Sequence, residues 1–390
     1  MAIELTKNEK DILKKFRKVK NEAGTHSPSI FVLQDLLPDI EFKVDACYLS
    51  NPYATELFIE YLQREIIETG KFRDLVEYYP SQNVFIAEKL SKKLGVNKEN
   101  LFIGNGAVEI IQALMHEFCQ EGKTSLPIPT FSSYYEFLKN PDNICFYQLS
   151  ANKNFELDVD DYIKFIFDNN VDNVILINPN NPNGSYLKKK DLTKLLKALK
   201  HVKNIILDES FIHFAYEDEM LQLESASNLI DEFPNLSIVK SMSKDFGIAG
   251  IRSGYLISSK PKVSHLLKNG FLWNSNGLSE YFFELYTRDE FRKEYEKLRK
   301  KYITEFQSFY NQLKKIKGIK AYPTKANFVL LELIEGSTAE NFCNKLLIEK
   351  GVYSRNCEDK IGLNGEFIRI GGRTKSENQY IISAIQEILK

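Results

Sequence analysis

A short segment around Lys244 carries the side chains needed to hold a phosphorylated aldehyde. Residues 241–244 read Ser-Met-Ser-Lys, and Arg252 follows eight positions after the lysine. A lysine amine forms a Schiff base with an aldehyde, while the hydroxyls of Ser241 and Ser243 and the guanidinium can hold phosphate oxygens. The pattern therefore predicts a covalently held, phosphorylated cofactor.

A carboxylate, Asp208, directly follows the short apolar run Asn-Ile-Ile-Leu at 204–207. A carboxylate at the end of a buried strand is unfavourable unless it meets a positive partner. In a pyridoxal-5′-phosphate (PLP) enzyme the protonated pyridine nitrogen is that partner, and the pair makes the ring an electron sink. The start of a helix is the alternative for an isolated Asp-Glu pair.

Three further segments could contact the same cofactor. The run Asn-Pro-Asn-Asn-Pro-Asn-Gly at 178–184 is a rigid turn by itself, and in it Asn181 could donate a hydrogen bond to the ring oxygen. Segment 104–109 joins a predicted strand to a predicted helix, whose free N–H groups can form a phosphate cradle. Phe131 could stack on the ring, although a lone phenylalanine more often packs in a core.

The elements that position these groups alternate along the chain. Apolar runs at 173–177, 204–207, 236–239 and 253–257 are separated by helical segments such as 109–119. This alternation indicates a mostly parallel sheet covered by helices on both faces. Because α/β folds bind ligands at the carboxyl ends of such strands, we expect the groups above to meet at one edge of the sheet.

The pattern changes in the last third of the chain. A long charged helical stretch covers about 280–315, and runs at 328–333, 351–354 and 367–370 predict strands, with a last helix from Glu377. These elements predict a second, smaller α+β domain, joined to the first by the long helix.

We expect three regions in total. Residues 1–45 form an N-terminal arm with an amphipathic helix over about 7–20. Residues 46–275 form the large cofactor-binding domain, together with an N-terminal part of the small domain. Residues 276–390 form the C-terminal small domain.

The composition is that of an ordinary globular protein, with 43% hydrophobic and 27% charged residues and a formal net charge of −1. This balance gives no reason to expect nucleic acid or a membrane surface as a partner. The five cysteines are scattered and form no Cys-x-x-Cys pair, which predicts reduced thiols, no metal site and a cytoplasmic location. No apolar run approaches the roughly 18 residues needed to span a bilayer.

In this order and spacing, the motifs resemble the fold-type I aminotransferase family from about residue 51 to the C-terminus, in particular histidinol-phosphate aminotransferases and threonine-phosphate decarboxylases. The resemblance implies the aspartate-aminotransferase-like α/β fold, with a mostly parallel seven-stranded sheet and a smaller α+β domain. It also implies PLP as cofactor, with Lys244 and Asp208 as catalytic residues, and a homodimer with shared active sites. The cofactor contacts that it implies are Gly106 and Ala107 through their backbone amides, Phe131, Asn181, Asp208, Ser241, Ser243, Lys244, Arg252 and, from the neighbouring subunit, Tyr79.

The same resemblance implies a set of substrate contacts. Arg369, in Phe-Ile-Arg-Ile-Gly-Gly, matches the arginine that binds the substrate α-carboxylate as a bidentate fork. Asn327 is expected where the small domain closes on the substrate, and Asn51, in Ser-Asn-Pro-Tyr-Ala, is assigned to the substrate as well. His26 could fold over the phosphate end of the substrate, with a surface turn as the favoured alternative.

Three positions favour decarboxylation over transamination. Phe211 replaces a tyrosine that is usual in aminotransferases of this type, and Gly-Asn-Gly-Ala at 104–107 is more similar to the decarboxylases. Arg373 replaces a glycine, and on one strand it would point to the same face as Arg369. Two guanidinium groups would suit a substrate with two anionic ends, although Arg373 could instead pair with a surface carboxylate.

The sequence therefore predicts a PLP-dependent lyase that decarboxylates a phosphorylated amino acid, either O-phosphoserine to phosphoethanolamine or O-phosphothreonine. The alternative is an aminotransferase of histidinol-phosphate type that acts on a small phosphorylated or phosphonate amine or ketone, which segment 241–252 fits at least as well. Segment 45–54 resembles proteins of surface-polysaccharide head-group synthesis, and we expect that pathway. A non-catalytic ligand sensor is disfavoured because Lys244, Asp208 and Arg369 are intact.

Overall fold

The computed structural model describes residues 5–24, 26–271, 274–334 and 336–390, so that residues 1–4 and 25 of the predicted arm lie outside the described residues. The α-helices are α1 (Lys7–Glu22), α2 (Ile30–Leu36), α3 (Pro52–Leu62), α4 (Phe72–Glu77), α5 (Asn83–Leu94), α6 (Ala107–Phe118), α7 (Ser133–Glu136), α8 (Val159–Asp168), α9 (Lys189–Ala198), α10 (Lys260–Lys268), α11 (Gly277–Thr287), α12 (Asp289–Leu313), α13 (Ala339–Lys350) and α14 (Lys375–Ile388). The β-strands are β1 (Val44–Asp45), β2 (Leu101–Asn105), β3 (Thr124–Ile128), β4 (Ile144–Gln148), β5 (Asn173–Ile177), β6 (Asn204–Asp208), β7 (Leu236–Ser241), β8 (Ser253–Ile257), β9 (Ile319–Ala321), β10 (Phe328–Leu333), β11 (Val352–Tyr353), β12 (Arg355–Asn356) and β13 (Phe367–Gly371).

The large sheet has seven strands among the described residues, in the order β2-β8-β7-β6-β5-β3-β4. Its strands are parallel apart from β8, which is antiparallel to both β2 and β7. Consecutive residues of β5 belong to different apolar clusters, Val174 to one face and Ile175 to the other. The strands are continuously apolar because helices cover both faces, as in other parallel sheets. The predicted α/β fold is confirmed.

The register of this sheet brings the predicted chemical groups to one edge. Ile177 of β5 is paired with Asp208 of β6, and Asp208 is paired with Val239 of β7. The segments that follow these three strands therefore leave the sheet side by side. They carry Asn181, Asp208 itself and the Lys244 segment.

The small domain has an antiparallel sheet in the order β12-β13-β10-β9, with its apolar core between this sheet and helices α12, α13 and α14. The stretch predicted as one helix is two helices, because Arg288 has an extended backbone and separates α11 from α12. Phe282 of α11 and Phe291 of α12 are buried in the core of the large sheet, whereas Phe306 of α12 is buried in the small core. The predicted boundary at residue 276 therefore does not coincide with a change in packing, which occurs within α12.

The N-terminal arm packs against the small domain. Thr6 and Glu9 form a capping box that starts α1, which confirms the predicted helix. Strand β1 extends the arm's contact by pairing in parallel with β11. Ion pairs join Arg17 to Glu340 and Lys20 to Asp359. These contacts hold the arm beside the segment that runs from β11 to residue 360.

Candidate active site

A cavity of about 300 Å³ lies at the carboxyl ends of β5, β6 and β7, where the small domain and the arm meet the large sheet. Most of the residues predicted from the sequence line it. These are His26, Ala107, Phe131, Asn181, Asp208, Ser241, Ser243, Lys244, Arg252 and Arg369. Residues far apart in the chain thus meet in one place, as the resemblance implied.

Lys244 lines this cavity. Burial lowers its pKa to about 8, and the positive charges of Arg369 and Arg252 act in the same direction. Its backbone carbonyl accepts a hydrogen bond of 3.0 Å from the Asn51 N–H. A lysine whose pKa is lowered in this way is neutral, and therefore nucleophilic, in a larger fraction of molecules near neutral pH.

Asp208 is held in a fixed orientation by two donors. Its Oδ2 accepts a hydrogen bond of 2.9 Å from the Tyr134 hydroxyl, and its Oδ1 accepts one of 2.8 Å from the Ser210 N–H. Burial raises the pKa of Asp208, and these hydrogen bonds partly offset the rise. A buried carboxylate with neutral donors alone favours a cationic ligand.

An anion cradle surrounds the start of α6. Gly106, with φ of +80°, precedes this helix, and a Cβ built on it would lie 2.5 Å from Nη2 of Arg252. The guanidinium therefore lies against the free N–H groups of the first turn of α6. Ser241 and Ser243 line the same cavity. Backbone N–H groups, hydroxyls and one guanidinium together have the chemistry to hold a phosphate group.

Arg369 lies on β13 and reaches across to the large domain. Its Nη1 donates a hydrogen bond of 2.6 Å to Oδ1 of Asn181, and its Nη2 donates one of 2.8 Å to the Cys47 carbonyl. Its Nε is buried and has no protein acceptor among the described residues. Because the Asn181 oxygen accepts from Arg369, the amide nitrogen of Asn181 is left to donate to another group.

The expectation that Arg373 and Arg369 point to the same face of one strand is wrong. Strand β13 ends at Gly371, and Thr374 already caps α14. The Arg373 guanidinium is 2.9 Å from the Ser50 hydroxyl and 3.3 Å from Glu377, and Arg373 is not among the residues that line the cavity. Its position matches the alternative considered above, a pair with a carboxylate.

Four other predicted residues are also not among those that line the cavity, namely Gly106, whose place beside Arg252 is given above, and Asn51, Asn327 and Tyr79. Asn51 is fully buried, and its side chain caps α3 by accepting a hydrogen bond of 3.2 Å from the Tyr53 N–H, while its own N–H donates to the Lys244 carbonyl. Asn327 is fully buried, and its carbonyl accepts from the Gly372 N–H. Tyr79 is 88% exposed between α4 and α5, as expected of a side chain that reaches a neighbouring subunit.

The cavity also contains residues that the sequence did not single out. Arg355 of β12 is paired in register with Arg369 of β13, so that both guanidinium groups reach the cavity. Lys360 follows in the next turn. The sequence predicted a strand at 351–354, and this strand ended one residue before Arg355.

The match to known families agrees with this geometry. Residues 49–385 match the sequence model of the aminotransferase class I and II family. The chain belongs to this family. It is 51% identical over 390 residues, all of both chains, to L-serine phosphate decarboxylase Cj1436c of Campylobacter jejuni. It is 48% identical over 377 residues, 97% of this chain and 96% of the relative, to the L-serine phosphate decarboxylase of Sulfurospirillum multivorans.

A solved structure shows the same likeness in three dimensions. A decarboxylase from Sulfurospirillum multivorans superposes with a TM-score of 0.94 at 47% identity, covering 98% of this chain and 97% of that one. The predicted family and fold are thus confirmed. Within the described residues, no helix is long and apolar enough to cross a bilayer.

Enzymes of the aminotransferase class I and II family depend in general on PLP, and the residues present fit that cofactor. The cradle at Gly106 and Arg252 suits its phosphate. The buried Lys244 amine suits its aldehyde, and the buried Asp208 carboxylate suits its ring nitrogen. Bound there, PLP would supply an electron sink for a bond breaking at the substrate Cα.

Proposed function

We propose that this chain is a PLP-dependent decarboxylase that converts O-phospho-L-serine into O-phosphoethanolamine and CO₂. The observation that carries the substrate class is the number of cationic side chains in the cavity. Besides Lys244, Arg252 and Arg369, the cavity is lined by Arg355 and Lys360. The two relatives that are about half identical to this chain are L-serine phosphate decarboxylases, which supports the same substrate.

The cationic side chains of the cavity can each be assigned to one anionic group. The cradle that contains Arg252 suits the cofactor phosphate, and Arg369 suits the substrate α-carboxylate. Arg355 is paired with Asp359 at 2.6 Å, so that Lys360 remains, and a buried cation is unfavourable unless an anion is close to it. A substrate with a second anionic group, such as the phosphate of phosphoserine, supplies that anion.

The residues of the chain have distinct tasks in this reaction. Asp208 would hold a proton on the ring nitrogen of bound PLP, and Arg369 would orient the carboxylate that leaves as CO₂. The Lys244 amine lies in the cavity, where it would act as the general acid that returns a proton to the substrate Cα. Phe211 adds an apolar wall without a hydrogen-bond donor, and its ring packs edge-on against Phe328.

The proposed reaction is tested by incubating the holoprotein with O-phospho-L-serine. We expect CO₂ and phosphoethanolamine to form in equal amounts, followed by carbonate trapping and by ³¹P NMR. O-phospho-L-threonine in a parallel reaction measures the preference between the two amino acids. Glutamate-dependent amine transfer to a phosphorylated ketone, without release of CO₂, would contradict the proposal and favour an aminotransferase.

We further propose that the chain works as a homodimer with shared active sites. Segment 72–85 of the large domain carries a patch of apolar and aromatic side chains, each at least 45% exposed. Such a patch on a globular protein marks a contact with another protein. Tyr79 lies in this patch, which supports its role at the partner's cofactor phosphate. The patch consists of Phe72, Val76, Tyr78, Tyr79, Val84 and Phe85.

Replacing Val76 with glutamate is expected to dissociate the dimer, because a carboxylate would be buried without a partner in the contact. Analytical ultracentrifugation should show a monomer with much reduced decarboxylase activity. Phe167→Glu is the matched control, since Phe167 is half exposed on α8 and outside the patch. A Val76→Glu protein that stays dimeric and active would exclude this face as the subunit contact.

A cytoplasmic location is proposed on the chemistry of the cysteines. All five, Cys47, Cys119, Cys145, Cys343 and Cys357, are free thiols in the structure, which suits a reducing compartment. The connection to surface-polysaccharide head groups stays a prediction from the resemblance of segment 45–54.

A further inference from the structure

Lys360 is a buried lysine whose amine has no hydrogen-bond or ion-pair partner among the residues that the structure describes. Only 8% of the residue is exposed, and it lines the cavity. Its position is fixed by the backbone, since its N–H donates to the Cys357 carbonyl and its own carbonyl accepts from the Leu363 N–H. In the part of the chain that the structure describes, no carboxylate lies within 4.0 Å of the amine to form an ion pair.

The nearest acidic side chain, Asp359, is already shared by two other cations. Its oxygens lie 2.6 and 2.7 Å from Nη2 of Arg355, and Oδ2 is 3.0 Å from Nζ of Lys20. Burial, and next the charge of Arg355, lower the pKa of Lys360 to about 8, while Asp359 offsets part of this effect. A buried ammonium with cations beside it is stabilised by an anion that binds next to it.

An anion bound next to Lys360 would be distinct from the cofactor phosphate. The charges that act most strongly on Lys360 come from Arg355 and Asp359 of the small domain. The cofactor cradle is formed on the large domain by Arg252 and the start of α6. Lys360 therefore belongs to the part of the cavity that the small domain closes.

We propose that Lys360 binds the side-chain phosphate of the substrate and selects phosphorylated serine over serine. Arg355, oriented by Asp359, lies beside it as a second phosphate ligand. Lys20 donates to the His26 carbonyl and to Asp359, and so ties the arm to this turn, with the His26 ring 5.8 Å from that of Phe131. The assignment of Lys360 rests on the proposed function, since it names the residue that would recognise the phosphate of that substrate.

The test is the Lys360→Met holoprotein. We expect KM for O-phospho-L-serine to rise by about 10- to 100-fold, as for the loss of one hydrogen bond to a charged group, with a much smaller change in kcat. Isothermal titration with O-phosphoethanolamine should show a similar loss of affinity. Lys360→Arg should recover part of both values, and Lys317→Met, at an exposed site, should change neither.

Two further measurements separate phosphate recognition from a structural role. The visible absorbance of the lysine-bound cofactor should be the same in Lys360→Met and wild type, and the melting temperature should not fall, because the removed charge is unpaired. If Lys360→Met does not fold, Lys360→Gln serves in its place. A variant with wild-type KM and wild-type affinity for O-phosphoethanolamine, or one that loses cofactor instead of substrate, would overturn the inference.

The measurements distinguish a wrong assignment of Lys360 from a wrong assignment of the reaction. If wild type releases CO₂ from O-phospho-L-serine and Lys360→Met does so with the same KM, the inference fails and the function stands. If wild type releases no CO₂ from this substrate, the proposed function fails. In that case the titrations with O-phosphoethanolamine and inorganic phosphate still decide whether Lys360 binds a phosphate.

Discussion

Lys244→Ala is expected to lower kcat for decarboxylation of O-phospho-L-serine by at least about 1,000-fold, because it removes both the covalent attachment of the cofactor and the proton donor at Cα. CO₂ release under single-turnover conditions measures the fall in the rate of decarboxylation. The visible absorbance of the dialysed protein measures cofactor retention, which should also fall. This is the largest effect that the structure predicts.

Lys262→Ala is a matched control for this result. Lys262 lies on α10 outside the cavity lining, yet burial lowers its pKa to about 8, as for Lys244. Its removal should leave kcat and cofactor retention unchanged. A Lys244→Ala protein with more than a few per cent of wild-type activity, in the absence of added amine, would show that another group forms the bond to the cofactor.

Asp208→Asn is expected to lower kcat by about 100- to 10,000-fold while the protein keeps its fold, because a neutral amide cannot hold a proton on the ring nitrogen. The Ser210 N–H can still donate to the amide oxygen, so the side chain keeps its place. Steady-state kinetics of wild type and Asp208→Asn measure the change in kcat, and circular dichroism shows whether the variant keeps its fold.

Two variants isolate the charge of Asp208 from its surroundings. Tyr134→Phe removes one hydrogen bond but keeps the carboxylate, and should cost no more than about tenfold in kcat. Glu209→Gln changes the neighbouring buried carboxylate, which accepts from Ser225 and Ala226 and does not line the cavity, and should leave kcat near wild type. Equal rates for wild type and Asp208→Asn would mean that ring protonation is not needed.

The cofactor half of the cavity could be predicted from the sequence for a physical reason. Asp208 and Lys244 follow apolar strands, and parallel strands in register place their carboxyl ends together. The chemistry of these residues is therefore tied to local patterns that can be recognised in the chain. The same argument located Asn181 and the start of α6.

The substrate half depends on contacts between distant segments. Arg355 reaches the cavity because β12 pairs with β13, and Lys360 because a turn directs it there. Neither position can be predicted from the periodicity of apolar residues along the sequence. Arg373 was misplaced because the capping box of Thr374 and Glu377 starts a helix where an extended strand was assumed. If α14 were capped two residues later, β13 could continue as far as Arg373.

Helix α12 belongs to both apolar cores, with Phe291 in one and Phe306 in the other. The chain therefore cannot be divided into two independently expressed halves at the predicted junction near residue 276. A fragment that begins there would carry α11 and the first turns of α12 with their apolar sides uncovered, and the remaining piece would have an open core. A dissection that keeps each core whole would have to cut within a continuous helix, so we expect the two domains to unfold together as one cooperative unit.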